Sequence, residues 1–161
     1  MVIFLFDKTY YVNFFKHLGA LGSYEVYLLF SFFFILLEEY YIAFFLFFGF
    51  FLLYLIAVPI RLLFFKERPI PIEYKNIFGK IKASSFPSMH SSRFTFLILV
   101  LLYYFNFNFS FFLFFGFLWF IVLYSRIFNK KHTFVDLIGG IFLAFIIFIF
   151  ILNFIYFTKI I

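Results

Sequence analysis

The sequence contains no cysteine. That excludes disulfides, thiolate metal sites and cysteine nucleophiles, and it leaves the compartment open. Charge is scarce as well: 12% of the 161 residues are charged, thirteen of them basic and seven acidic. The surplus, a net charge of +6, points to anionic headgroups, topology signals or an anionic substrate as its counterpart. The opening MVIFLFDKTYY lacks a basic n-region and a small-residue cleavage site, so no signal peptide is expected there. No internal repeat and no second domain is visible, which makes residues 1–161 one expected domain.

What abounds is apolar surface. Hydrophobic residues make up 67% of the chain and 37 residues are Phe. A soluble domain of this size cannot hide that much inside one core. The expected fold is therefore all-α: a polytopic membrane helix bundle of about five transmembrane helices plus an N-terminal interfacial helix.

A span needs about 20 mostly apolar residues. Tyr41 to Phe65 qualifies, with Pro59 and Arg61 near its end. Further spans run from near Pro87 to about Asn106, from Phe109 to Tyr124, and from Phe134 to Phe157. Leu18 to Leu37 is a fifth candidate, with Glu25 at the interface. Residues 3 to 17 mix aromatics with Asp7, Lys8, Lys16 and His17, a pattern that fits a helix in the headgroup plane. Residues 66 to 86 form one long loop, the kind that carries function on a compact scaffold.

Counting crossings brings three polar stretches to one face: Arg61 to Pro69, Pro87 to Arg93, and Ser125 to Asp136. Together they hold Arg61, Lys66, Arg68, Arg93, Arg126, Lys130 and Lys131 with Ser88, His90, His132 and Asp136. Guanidinium groups match phosphate oxygens. The segment Ser84 to His90 reads as a helix N-terminus, with Pro87 in the first turn and serines to cap it, adding N–H donors for an anion. His132 and Asp136 are four apart, so on a helix they share a face. An aspartate bonded to one ring nitrogen fixes the tautomer and frees the other nitrogen to attack. His90 is placed to act as a general acid. Taken singly, these residues have plainer readings: Arg61, Lys66 and Arg68 as membrane-edge anchors, Ser88 as a cap, Asp136 as a dipole partner. Lys130, Lys131 and His17 keep the interfacial reading, and Arg93 is open between headgroups and Asp136.

The stretch SRIFNKKHTFVD, residues 125 to 136, resembles the third signature of the type 2 phosphatidic acid phosphatase superfamily: Ser-Arg, five residues, His, three residues, Asp. PSMH, residues 87 to 90, resembles the second, and RLLFFKERP, residues 61 to 69, the first. Three signatures in order are specific where one is weak. The resemblance implies a phosphohydrolase that needs no metal or other cofactor. His132 would attack phosphorus, Asp136 would orient it, and His90 would protonate the leaving oxygen. Arg61, Arg68, Ser88 and Arg126 would hold the phosphoryl oxygens, with Lys66 recruited nearby. Two departures stand out. Arg61 replaces the usual Lys, and Met89 replaces a glycine, which is harmless only if that position is helical.

The expected function is thus a membrane lipid phosphate phosphatase. Polyprenyl diphosphates are the favoured substrates, then phosphatidate or phosphatidylglycerophosphate. The competing readings are a lipid phosphotransferase and a catalytically silent protein that binds or moves anionic lipid. Expected partners are the lipid bilayer and a membrane lipid phosphate, with no nucleic acid; the oligomeric state is not read from the sequence. The plasma membrane is the expected location. On this span map twelve of the thirteen Lys and Arg, all but Lys159, lie on the site's face, which places that face in the cytoplasm. The resemblance implies the outer face for many family members.

Overall fold

The structure is a computed structural model that describes residues 8–105 and 108–158. Seven helices follow one another: α1 (Lys8–Ala20), α2 (Tyr24–Leu36), α3 (Tyr40–Leu63), α4 (Ile77–Ala83), α5 (Met89–Tyr104), α6 (Phe109–Phe128) and α7 (Phe134–Thr158). Asn106, Asp7, Lys159 and the other residues before Lys8 fall outside the described residues, so the start of the expected interfacial helix and the end of the second expected span do too.

Local chemistry sets most of the helix starts. Ser23, Asn76, Ser88 and Asn108 each accept an amide N–H of the following turn through the side chain, and so satisfy one donor left orphaned by the helix geometry. Pro59 lies inside α3, whose capping residue Phe64 still bonds back to Ile60. Loop 66–86 contains α4, a short helix that the run of prolines and lysines in the sequence conceals.

α5 is the hub. Eleven of its sixteen residues are buried, and it lies against α3, α6, α7 and α2. Phe45, Leu46, Leu53, Phe96, Val100, Ala144, Ile147 and Ile151 form the centre of the core. By contrast α6 buries only Val122, Leu123, Ser125 and Arg126, all near its C-terminal end; Phe115, Leu118 and Trp119 pack partly against the core, and much of the remaining surface is exposed.

Three helices among the described residues are long and apolar enough to cross a membrane: α3, α6 and α7. A fourth crossing arises if α1 and α2, bent by 41° at their junction, count together. This is the pattern of an integral membrane protein. The sequence led us to expect five spans and a separate interfacial helix, and the difference has a physical source. α2 has 13 residues and α5 has 16, so α5 rises only about 24 Å. Wrapped by its neighbours, α5 meets little lipid and need not match the full hydrocarbon thickness.

α1 lies against the end of α6: the Phe15 ring is 4.4 Å from Phe128 and 5.5 Å from Tyr124. The end of α3, the start of α5, the end of α6 and the start of α7 therefore share one end of the bundle with the α1–α2 elbow.

Candidate active site

The site begins with the turn between α6 and α7. Asn129 caps α6, and Lys130 takes a positive φ of 51°, the left-handed conformation that commonly ends a helix. The chain folds back so that the Lys131 and His132 amides both donate to the Arg126 carbonyl, at 3.0 and 3.3 Å. Five residues between Arg126 and His132 are what this closure uses. His132 is thereby held over the helix end that carries Arg126.

α7 starts with a reciprocal cap. The Asp136 amide donates to Thr133 Oγ1 at 3.4 Å, and the Thr133 amide donates to Asp136 Oδ2 at 2.7 Å, a capping box with Asp in the third helical position. The other carboxylate oxygen, Oδ1, accepts from Lys66 Nζ at 2.7 Å. Lys66 Nζ also donates to Thr133 Oγ1 at 2.9 Å.

These bonds correct the expected histidine–aspartate pair. His132 precedes α7 and does not share a helical face with Asp136. Its Nδ1 lies 2.9 Å from the Ser85 carbonyl and 3.9 Å from Asp136 Oδ2. A carbonyl only accepts, so Nδ1 carries the proton and Nε2 keeps its lone pair. The tautomer is set by a backbone carbonyl, while Asp136 supplies negative charge at close range. His132 is buried, and burial, followed by the charges of Arg68, Arg126 and Arg61, pushes its pKa well below the ordinary 6.5; Asp136 opposes this. His132 is a neutral base at physiological pH.

A cavity of about 460 Å³ opens beside it. His90, His132, Arg61, Arg68 and Arg93 line one part, and Tyr54, Val58, Phe78, Ile81 and Met89 give it an apolar continuation. His90 stands in the first turn of α5. Pro87 precedes that helix and Ser88 is its cap, so a serine of the expected segment does cap the helix, while Pro87 lies before the first turn rather than in it. Ser84 instead ends α4, and Ser85 holds His132. Met89 is the first residue of α5, and positive φ at non-glycine residues occurs only at Glu38 and Lys130 among the described residues. Methionine is accommodated because the position is helical.

The cations divide by what they hold. Arg61 is spent largely on backbone: Nε and Nη2 donate to the Pro87 carbonyl at 3.2 and 2.6 Å, and Nη1 to that of Ile81 at 3.0 Å. Arg68 Nη2 donates to the Lys82 carbonyl at 2.6 Å, and burial lowers its pKa against the pull of Asp136. Arg68 Nε and Arg126 Nε are buried N–H donors without a partner. Buried donors are normally paired, so each has an N–H to offer an anion that reaches it; Arg68 lines the cavity, and Arg126 lies outside that lining. Ser88 is fully buried; its amide donates to the Asp136 carbonyl at 2.9 Å, which ties the start of α5 to the start of α7.

Arg93, left open by the sequence, bonds to the α1–α2 elbow and to Tyr54 rather than to Asp136. Nε and Nη2 donate to the Gly22 carbonyl at 3.2 and 2.9 Å, and Nη1 donates to Tyr54 Oη at 2.7 Å. The α1–α2 elbow is thus part of the site's wall, with Gly22 against His90 and Gly19 against Arg126 and Ser125. Sequence reasoning missed this elbow and Ser85. The one available signal was the pair of glycines in Gly19-Ala20-Leu21-Gly22, small residues where a helix end meets a crowded site.

Neither the curated proteins nor the solved structures compared with the chain gave a match. The model of the PAP2 superfamily matches residues 42–159, a stretch that starts after the elbow and takes in all three polar stretches. Nearly three-quarters of the sequence lies within that match, and the chain belongs to the PAP2 superfamily.

Proposed function

We propose that the protein is an integral-membrane lipid phosphate phosphatase that works through a phosphohistidine at His132. One observation carries this reading. A neutral histidine with Nε2 free opens onto the same cavity as a second histidine, beside two guanidiniums whose buried Nε–H groups lack an acceptor. A protein that only bound anionic lipid would need the cations but not that histidine pair.

In the proposed reaction Nε2 of His132 attacks phosphorus, and the bond to the leaving oxygen breaks as His90 gives that oxygen a proton. Water then attacks the phosphohistidine, giving a proton to His90, and inorganic phosphate leaves. Arg68 and Arg126, supported by Arg61 and the Ser88 hydroxyl, stabilise charge on the equatorial oxygens. The substrate's own phosphate charge offsets the guanidiniums around the two histidines. Asp136 stabilises the cationic ring that forms when His132 is phosphorylated, and Lys66 anchors Asp136.

The apolar part of the cavity suits an amphiphile whose tail stays in the bilayer. Polyprenyl diphosphates are our first choice of substrate, then phosphatidate and phosphatidylglycerophosphate. We read α2, α3, α5, α6 and α7 as the membrane-crossing elements and the site face as cytoplasmic, following its lysines and arginines.

The test is phosphate release by purified protein in chelator from a panel of these lipids. A lipid diphosphate is expected to turn over fastest. Absence of release from every lipid phosphate in the panel would refute the assignment.

A further inference from the structure

Between Lys66 and Phe86 the chain leaves the bundle as a loop pinched shut at its base. The Ser85 amide donates to the Lys66 carbonyl at 2.8 Å, and the Ser85 hydroxyl to the Glu67 carbonyl at 3.1 Å. α4 lies within this loop, started by Asn76, whose side chain takes the Gly79 amide at 2.7 Å. A helix of seven residues does not hold itself together in water.

One side of α4 is held by the site. Its late carbonyls, left without partners by the end of the helix, accept from the phosphate-binding guanidiniums: Ile81 from Arg61, and Lys82 from Arg68. The other side faces outward. Ile77 on α4 is exposed, as are Ile70, Ile72 and Tyr74 in the segment leading to it; Phe78, 74% exposed, also lines the mouth of the cavity. Lys75, Lys80 and Lys82 accompany them, Lys82 also lining the cavity, and the loop's acids are Glu67 and Glu73. α3 ends and α5 begins at this face, so the loop stands at the membrane surface. There, apolar side chains reach acyl chains, and lysines meet lipid phosphates.

We infer that loop 66–86 is a headgroup-docking element for anionic lipid, and that its seating in the bilayer surface holds Arg61 and Arg68 in place in the cavity. The docking half stands on the loop alone. The coupling half rests on the phosphatase reading. A bilayer rich in anionic lipid would thus supply not only substrate but also a correctly built phosphate pocket.

The absence of cysteine makes a direct test available. Full-length Ile77→Cys, labelled with an environment-sensitive fluorophore, is placed in lipid nanodiscs whose acyl chains carry bromine as a quencher. The fluorophore is expected to be quenched by brominated lipid, at least twofold more strongly when the bromine is on minority phosphatidylglycerol than when an equal share is on phosphatidylcholine. Adding Lys75→Gln and Lys80→Gln is expected to remove the preference and leave the quenching. No quenching, or equal quenching by the two lipids, overturns the docking.

For the coupling, kcat is measured at saturating aryl phosphate, which has no tail, in discs with and without phosphatidylglycerol. Saturation removes the surface-charge effect on substrate concentration. A rise of threefold or more that disappears in the double lysine variant is expected. Equal kcat in both discs overturns the coupling. Protein inert in both overturns the coupling; the phosphatase reading falls with it only if every lipid phosphate of the panel is also left intact, and the quenching result still decides the docking.

Discussion

His132 owes its reactive form to Ser85 rather than to Asp136. Nδ1 lies 2.9 Å from the oxygen of a carbonyl that cannot change its protonation, so the ring is oriented without a hydrogen bond to a carboxylate. Where an aspartate alone sets the tautomer, exchanging it for asparagine costs about 10⁴-fold in kcat. Here Asp136→Asn is expected to lose about 10–100-fold, together with roughly 1–3 kcal/mol of stability from weakened bonds to Lys66 and the Thr133 amide. Steady-state kinetics and thermal unfolding in detergent measure the two effects; a loss near 10⁴-fold would return tautomer control to Asp136. The depressed pKa of His132 sets the sign of a pH effect. Its neutral form persists as pH falls through 6.5, so the acid limb of kcat/KM is expected below pH 6.5. An acid limb centred at or above 6.5 would show an unperturbed histidine.

At the scale of elements, the site exists because four helix ends meet, and close contacts keep them together. Gly140 on α7 faces Ser91, Ser92 and the Ser88 carbonyl of α5 so closely that a Cβ there would collide with that backbone oxygen. The same contact lets Ser91 Oγ reach the Leu137 carbonyl at 3.1 Å. Gly140→Ala is expected to destabilise the protein by about 1–3 kcal/mol through overpacking and to lower activity, as α7 and His132 move from His90. Unchanged unfolding temperature and activity would show that the helices need no such contact. This close approach was not legible in the sequence, where Gly139-Gly140 is only a weak spot in an apolar run. Lengths of apolar runs located α3, α6 and α7 because each meets lipid over much of its surface. They also located α5, Met89–Tyr104, although its partners replace lipid there, and failed for α4, whose few residues leave no periodicity to read. The spacing of Arg126, His132 and Asp136 was legible as a signature. Its cause, the left-handed Lys130 closing the turn onto the Arg126 carbonyl, was not.

The whole molecule places nearly all its described cations at one end of the bundle. Arg61, Lys66, Arg68, Arg126 and Lys131 lie about the site, and Lys75, Lys80 and Lys82 lie on the adjoining loop 66–86. Charge of this distribution favours retention on the cytoplasmic side. In intact cells, a reporter fused after Ile161 is expected on the far side from the site, and a lone cysteine at Lys75 is expected to resist an impermeant thiol reagent until the membrane is opened. Immediate labelling would put the site on the outer face. Neither result alters the proposed chemistry, in which His132 alone makes the covalent bond to phosphorus. The most direct measurement is a rapid quench of the full-length protein with a lipid diphosphate labelled at its terminal phosphate, followed by identification of the labelled residue. Acid-labile, alkali-stable label on His132 is expected in the unaltered chain, and none in a folded His132→Ala variant. Label on any other residue, or turnover that survives in His132→Ala, would contradict it.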